Sequence, residues 1–586
     1  MSLHERSLPA GPRAEPGLPG GALPVCVPSG LCPPHDRARV PAAMPYTNRV
    51  SIRCRDLAGR HWWLGATLLT TALLQLVVMN VWPGFESPNE RGRAYQAIAV
   101  VTRGSLEISP ELDRLGDMED VAAFAGRRFP NKAPGTLPLV VPGALLAHWL
   151  AGGPLAELGW TLVLGRLLAA SFPFGLTVLL IARATVARYP RGGPLAAVAY
   201  ALATPALASS LLLFSHALTA CLLLGAFLLL FEPARPGTRV GALAGLLLAW
   251  AAACEYSAAL PAAVVALAAL RRLRVRGVLA AIAGGTMPVG LLAVYNTVCF
   301  GSPLSISSAH ETYGTFATLV RHGIFGISLP TLSGLGGLLL SPARGLFAWA
   351  PLAAFAILGA CLKTNWPSSA GGRCALWAAP LALLLAMSGY PNWHGGWFPG
   401  PRYLLQVLPL VFLLVARWAE LVLADAWGRM LVALGALWGW VAVWPCVASF
   451  PFPPEDVPLP AMTLAPGLLA DGVHAPSWLP GAFVLPVLTA VALAAGGVLL
   501  TVAVPQRRWY ERPLAVIWLV AALVAAGRVQ YPAMWQALLE RAVIHDVYAG
   551  GPPGALEALA RRADSPLRRM QVETWIARRA KAGVAE

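Results

Sequence analysis

Trp62-Trp-Leu-Gly-Ala-Thr-Leu-Leu-Thr-Thr-Ala-Leu-Leu-Gln-Leu-Val-Val-Met-Asn-Val-Trp82 contains no charged side chain. A run of about 20 such residues is what a helix needs to cross the hydrocarbon core of a bilayer. Apolar runs of that kind recur about thirteen times along the chain, at 62–82, 158–182, 194–213, 216–232, 239–254, 257–270, 277–298, 345–361, 374–390, 402–424, 429–449, 480–504 and 513–529. The 586 residues are 57% hydrophobic and 12% charged, with a mean hydropathy of +0.62. Soluble domains carry about 25% charged residues, so a soluble fold could not hide this much apolar surface. The expected fold class is therefore an all-α polytopic membrane protein, with one transmembrane domain over 56–530.

Charge patterning tests the topology. The net charge of +16 could suggest nucleic acid, but the Lys and Arg residues fall in short clusters between apolar runs rather than along one face, so no nucleic-acid partner is expected. With the first span running outward, the inner loops hold Arg183, Arg188 and Arg191, then Arg235 and Arg239, then Arg271, Arg272, Arg274 and Arg276. Later inner loops add Lys363, Arg373, Arg417, Arg429, Arg507, Arg508 and Arg512, against only Glu232, Glu420, Asp425 and Glu511. That is the positive-inside pattern. Residues 1–55 are rich in Pro, Gly and Arg, lack a signal-peptide apolar core and read as a disordered cytoplasmic tail, with Met44 an alternative start. The tail 531–586 has two amphipathic helical patterns and by parity lies outside. The nine cysteines show no CxxC or metal-ligand spacing, which predicts neither a disulfide framework nor a metal site.

This topology collects the chemistry-capable residues on the extracytoplasmic side, in a large first loop at 83–157, in 299–344, in the tryptophan-rich 390–401 and in the Pro-rich 451–479. The first loop holds Glu86, Glu90, Glu107, Glu111, Asp113, Asp117, Glu119 and Asp120. Its apolar stretch 136–152 reads as a juxtamembrane or re-entrant helix, because counting it as a span would invert the charge bias of everything after it.

Three constellations stand out. Glu86-Ser-Pro-Asn-Glu90-Arg-Gly-Arg93-Ala-Tyr95 sets carboxylates at the membrane surface, where one could take a proton from an acceptor hydroxyl; the same pattern also reads as helix capping, with Asn89 as N-cap and Glu90 at the positive helix end. Phe129-Pro-Asn-Lys132-Ala-Pro-Gly135 holds a lysine between turn formers, suited to a lipid-linked phosphate or to simple snorkelling. Tyr390-Pro-Asn-Trp393-His394-Gly-Gly-Trp397-Phe-Pro-Gly-Pro-Arg402-Tyr403 combines aromatic faces, donors and a tight Gly-rich backbone, which suits a sugar or an ordinary interfacial turn. His216, Glu255-Tyr256, His310-Glu311 and Arg344 are lesser candidates at the outer membrane edge, and Arg166 is a charge within a span.

These residues resemble a known family. Asn89-Glu90 followed by Arg93-Ala-Tyr95-Gln-Ala97, then Lys132-Ala-Pro134, then Arg166-Leu-Leu-Ala-Ala-Ser171, is similar in order and in membrane side to the motifs of the GT-C glycosyltransferases. The resemblance is to the protein mannosyltransferase and aminoarabinose transferase branch, and to the bacterial family 39-like, phospholipid carrier-dependent glycosyltransferases. Phe300-Gly-Ser-Pro303, Ser341-Pro-Ala-Arg-Gly-Leu-Phe347 and Gly400-Pro-Arg-Tyr403 add to it. It implies a GT-C-like bundle with juxtamembrane helices in the first loop, and transfer of a sugar from a polyprenyl-phosphate carrier to a glycan, lipid or protein acceptor. It implies Glu90, with Glu86 second, as the catalytic carboxylate, because Asn89 stands where the family usually has Asp. It also implies Lys132 and Arg402 at the lipid phosphate, Trp393, His394 and Trp397 around the sugar, and Arg93, Tyr95, His216, Arg344 and Tyr403 among the binding residues. No cofactor is implied, metal dependence stays open, and the setting would be a bacterial inner membrane. A transporter or lipid flippase, or a catalytically inactive GT-C-like protein, is the alternative; transporters place their sites at the midplane of repeat-built bundles, and no repeat is evident here.

Overall fold

The computed structural model describes residues 61–79, 86–320, 323, 326–364, 366–504, 508–527, 534–548, 554–563 and 565–582. The expected cytoplasmic tail, 1–55, lies outside the described residues. Helix occupies each apolar run read from the sequence. Five helices are long and apolar enough to cross a membrane: Pro154–Thr185, Val275–Phe300, Ala370–Ser388, Ala426–Ala448 and Gly481–Ala503. Shorter apolar helices accompany them, among them Trp62–Val78, His216–Phe231 and Thr238–Cys254.

Two layers of apolar side chain explain the arrangement. Inside, the whole of Leu195–Leu202, with Leu223, Phe227, Leu413 and Val443, is buried in one continuous core. Outside, Leu279, Ile282, Met287 and Leu291 on Val275–Phe300 are all more than half exposed. Such a stripe would be an aggregation hazard in water and is what a lipid-facing helix requires. The molecule is a helical, multi-pass membrane protein.

Local chemistry breaks some of the expected spans. The run 194–213 forms helix only over Gly192–Leu202, followed by a short turn of helix at Ala206–Ser209. Pro205 lacks an N–H and its ring would clash with the carbonyl four residues before it, so the upstream helix stops at Leu202; after Ser209 the chain runs through 211–214 without helix. Arg166 ends the α-helix that starts at Pro154, and a π-turn over Leu167–Ser171 joins it to Phe172–Thr185.

The first loop corrects the all-α expectation. It contains helices Pro88–Arg103 and Ser109–Leu115, then an antiparallel hairpin of Val121–Phe124 with Arg127–Pro130. Ala125 and Gly126 at its tip both have positive φ, +50° and +78°, the geometry of a two-residue type I′ turn that matches strand twist. The strands read Val-Ala-Ala-Phe and Arg-Arg-Phe-Pro, too short and too poor in β-branched residues to stand out in the sequence. The apolar stretch expected as a juxtamembrane helix is helical over Leu137–Leu150. Ala94, Ile98, Leu112, Val140, Leu158 and Leu213 weld the loop helices to the bundle.

The helices at 534–582 share a small core of their own, with Leu539, Val543, Leu556 and Val572. They dock through an Arg541–Asp471 ion pair at 2.5 Å and through Tyr548, which packs against Trp397 and Phe450.

Candidate active site

The hairpin register pairs Val121 with Pro130, so the residues flanking the two strands, Asp120 and Asn131-Lys132, are forced together. Asn131 donates its backbone N–H to the Asp120 carbonyl at 3.1 Å and its Nδ2 to Asp120 Oδ1 at 3.2 Å. Lys132 Nζ sits 3.0 Å from the same Oδ1. Burial pushes the Asp120 carboxyl up, but the Lys132 ammonium and the hydrogen bonds from Lys132 and Asn131 outweigh it and hold the group below its ordinary value. Next to this pair, the turn Lys132-Ala-Pro-Gly135 lies against the end of helix Thr238–Cys254. Trp250 Nε1 donates to the Gly135 carbonyl at 2.8 Å, and a Cβ at Gly135 would fall 2.4 Å from the backbone of Ala253 and Cys254. Only glycine permits that approach, and it brings the lysine turn up to Glu255, the residue after the helix.

Glu255 is the hub of a second chain of contacts. Its Oε2 accepts from Ser215 Oγ at 2.6 Å and lies 3.8 Å from His216 Nδ1. Arg93 Nη2 donates to the same Ser215 Oγ at 3.3 Å, while its Nε donates to Thr136 Oγ1 and its Nη1 to the Asn89 carbonyl and side chain. Burial raises the Glu255 carboxyl, yet His216, the Ser215 hydroxyl, Arg93 and Arg402 together hold it low. The Glu255 side chain keeps 23% of its surface accessible. Beneath Lys132, a cleft of about 10 Å³ lined by Arg93, Gln96 and Thr136 has room for about one water.

Arg402 completes the cluster from a distant part of the chain. Its guanidinium lies over the rings of Phe214 at 5.6 Å and Tyr403 at 5.3 Å, within electrostatic reach of Glu255 and Asp120, and its Nε has no hydrogen-bond partner. Tyr390 packs edge-on to Tyr403 at 5.9 Å. The turn that delivers them needs Gly395 and Gly396 at φ +77° and +73°, a left-handed conformation that side chains with a Cβ rarely adopt.

Of the residues singled out in the sequence, Arg93, Lys132, His216, Glu255, Arg402 and Tyr403 are brought together, and Glu311 accepts from Asn131 Nδ2 beside Asp120. The others lie elsewhere or are already engaged. Glu90 is 0% exposed; its Oε1 accepts from Arg166 Nε at 2.8 Å and from Leu213 N at 2.7 Å. Its Oε2 closes a capping box with Ser87, so the N-cap is Ser87 rather than Asn89. Glu86 is held by Arg91 at 2.8 Å. Tyr95 is buried and donates to the carbonyls of Leu115 and Gly116, away from the cluster. Arg344 is fully buried and donates to the carbonyls of Gly396 and Pro453, clamping the Gly-rich turn from behind; burial lowers it to about 10, with Glu455 opposing. His394 accepts from Gly396 N at 3.3 Å, and burial, only partly offset by Glu455, holds its imidazole below the ordinary value. Trp393 stands edge-on to His394, while Trp397 belongs to an aromatic group with Phe450 and Tyr548.

No family profile and no curated protein matches this sequence. Some solved structures are similar in backbone. ArnT from Cupriavidus metallidurans in the apo state aligns with a TM-score of 0.42 and 13% identity, over 86% of this chain and 81% of that one. An oligosaccharyltransferase from Archaeoglobus fulgidus, tethered to an acceptor peptide containing the NVT sequon, aligns at 0.40 and 12% identity, over 82% of this chain and 59% of that one. AglB from the same organism, in complex with an inhibitory peptide and a dolichol-phosphate, gives 0.35 and 13%, over 88% of this chain and 59% of that one. Function follows from side chains rather than from likenesses at this level.

The residues that the sequence undervalued are Asp120 and Glu255. Asp120 is one acid among nine in the first loop, and Glu255 one polar group at a helix end. Only the strand register and the Gly135 contact single them out. Among the described residues, no three His, Cys, Asp or Glu side chains gather in a way that could hold a metal ion.

Proposed function

We propose that this protein is a membrane glycosyltransferase that moves a sugar from a polyprenyl-phosphate carrier to an acceptor on the extracytoplasmic face. The observation that carries the proposal is the gathering of Arg93, Lys132 and Arg402 with Asp120, Glu255 and His216 from four remote segments. Lys132 and Arg402 hold the phosphate of the donor, and Arg93 adds positive charge from behind. The acceptor oxygen attacks the anomeric carbon as the bond from that carbon to the phosphate oxygen breaks. The bond's electron pair leaves with the polyprenyl phosphate, and the acceptor proton passes to Glu255. Stabilising the charge that develops on the departing phosphate is the largest expected contribution, with the carboxylate as general base second. Trp393 and His394 are the candidate sugar contacts on the neighbouring turn. Glu90, which the resemblance put first, serves in this reading to hold the first-loop helix on the bundle through Arg166 and Leu213, and Glu86 pairs with Arg91 at the start of that helix.

Their engagement by Arg166 and Arg91 also favours a second reading, a GT-C-like membrane protein without transferase activity. The two separate in one experiment. Purified protein in lipid is incubated with a panel of radiolabelled polyprenyl-phosphate sugars and membrane extract, and label leaving the carrier is followed. Transfer from one donor that is lost in Glu255→Gln and kept in folded Glu90→Gln supports the assignment. Transfer lost only in Glu90→Gln returns the base to Glu90, and no transfer from any donor by folded protein favours the inactive reading.

A further inference from the structure

A second basic cavity lies at the other end of the bundle, away from the candidate active site. Arg402 precedes helix Leu408–Val422 and Arg417 lies near that helix's far end, roughly 20–25 Å along the chain at helical rise. In the same way, helix Ala370–Ser388 leads into the Tyr390–Tyr403 turn at its end and carries Arg373 and Cys374 at its start. Between those far ends is a cavity of about 510 Å³, lined by Lys363, Arg373, Arg417, Cys361, Cys374 and Trp377.

Its charge is uncompensated. Arg417 is only 8% exposed, its Nε has no hydrogen-bond partner, and it lines the cavity. Among the described residues, neither Arg417 nor Lys363 has an ion pair. Among the described residues, the Arg373 guanidinium donates to the carbonyls of Pro367 and Ser368 and to no carboxylate. The nearest acid on the same helix, Glu420, is turned away and accepts from the backbone N–H groups of Arg191 and Gly192 at 2.8 and 2.9 Å. Burying a guanidinium without a partner is costly, and three cations around one cavity repel one another. An anion placed among them relieves both. Guanidinium and ammonium donors converging from several directions suit the several oxygens of a phosphate. The other walls are apolar, with Trp377 46% exposed at the rim, which suits a ligand with an apolar tail. Basic pockets between transmembrane helices are a known way of holding anionic headgroups.

We infer that this cavity is a binding site for a phosphate group, presented either by an anionic phospholipid or by a soluble phosphate. It is distinct from the donor site proposed above and does not depend on it.

Cys361 and Cys374 line the cavity and are exposed, whereas Cys221, Cys254, Cys299 and Cys446 are buried. They make the test site-specific. The full-length protein is placed in nanodiscs of phosphatidylcholine alone or with phosphatidylglycerol, and the alkylation rate of each cysteine is read by peptide mass spectrometry. Occupancy slows alkylation by 1 + [L]/Kd, so roughly ten-fold protection is expected when ligand is at about ten times Kd. Protection of Cys361 and Cys374 by phosphatidylglycerol supports a lipid ligand. Protection in phosphatidylcholine by added inorganic phosphate supports a soluble one. Either protection should disappear in Arg417→Ala. Because Arg417 is buried, the double variant Lys363→Gln/Arg373→Gln, both outside the core, provides the second arm. No protection by either probe, or protection that survives the double variant, overturns the proposal.

Discussion

Replacing Glu90 with alanine should destabilise the protein rather than simply slow a reaction. Three interactions end at this carboxylate: the Arg166 ion pair, the hydrogen bond from Leu213 N and the capping box with Ser87. Both charges are out of water, with side-chain exposures of 0% for Glu90 and 9% for Arg166. Removing one partner of such a pair leaves the other buried and unpaired, at a cost of about 3–5 kcal/mol. The orphaned Leu213 N–H adds about 1–3 kcal/mol, and because the terms share one site they do not simply sum. Glu90→Gln should cost less, since an amide oxygen can still accept from Leu213. The discriminating variant is Glu90→Leu/Arg166→Met, which removes both charges and should recover much of the loss. The assay is the loss of monodisperse protein on heating, read by size exclusion in one detergent for all variants. An alanine variant as heat-resistant as wild type would refute the reasoning, as would a double variant whose loss is the sum of the two singles.

Glu255→Gln should lower kcat for transfer by about 10²–10⁴-fold with the protein still folded. Because the Glu255 carboxyl is held below its ordinary value, it stays ionised through neutral pH. Activity should therefore fall only on acidification below the usual carboxylate range, and an acid limb near neutrality would contradict the assignment. Lys132→Ala should raise KM for the lipid donor, and Lys132→Arg should restore much of the loss. Gly135→Ala forces a Cβ to within 2.4 Å of the Ala253 backbone, so donor turnover should fall even though no charge changes. Burial, with Asp456 and Glu455 adding repulsion, pushes Glu540 up to about 7. A raised value means stability that is present in acid and lost as pH rises through about 7, so the protection of 534–548 against hydrogen exchange, relative to the intrinsic base-catalysed rate, should fall from pH 6 to 8 in wild type and stay constant in Glu540→Gln.

By itself, the sequence determined the membrane class, the helical runs and the segments that carry polar chemistry. Those features depend on composition and on the length of apolar stretches, which a bilayer reads almost one residue at a time. Lys132, Arg402 and His216 were visible for the same reason, as rare polar groups next to turn formers at span ends. Which carboxylate sits with them was not visible. Asp120 reaches Lys132 only because a type I′ turn five residues away sets the hairpin register. Glu255 joins them only because Gly135 lets a loop touch a helix more than a hundred residues later in the chain. Glu90 carried the strongest motif, yet the break in the span after Pro205 leaves Leu213 N without a helical partner, and Glu90 with Arg166 closes on that gap. Pairing of this kind is a contest among remote donors and acceptors for the same few atoms, and only the tertiary structure decides which of them meet.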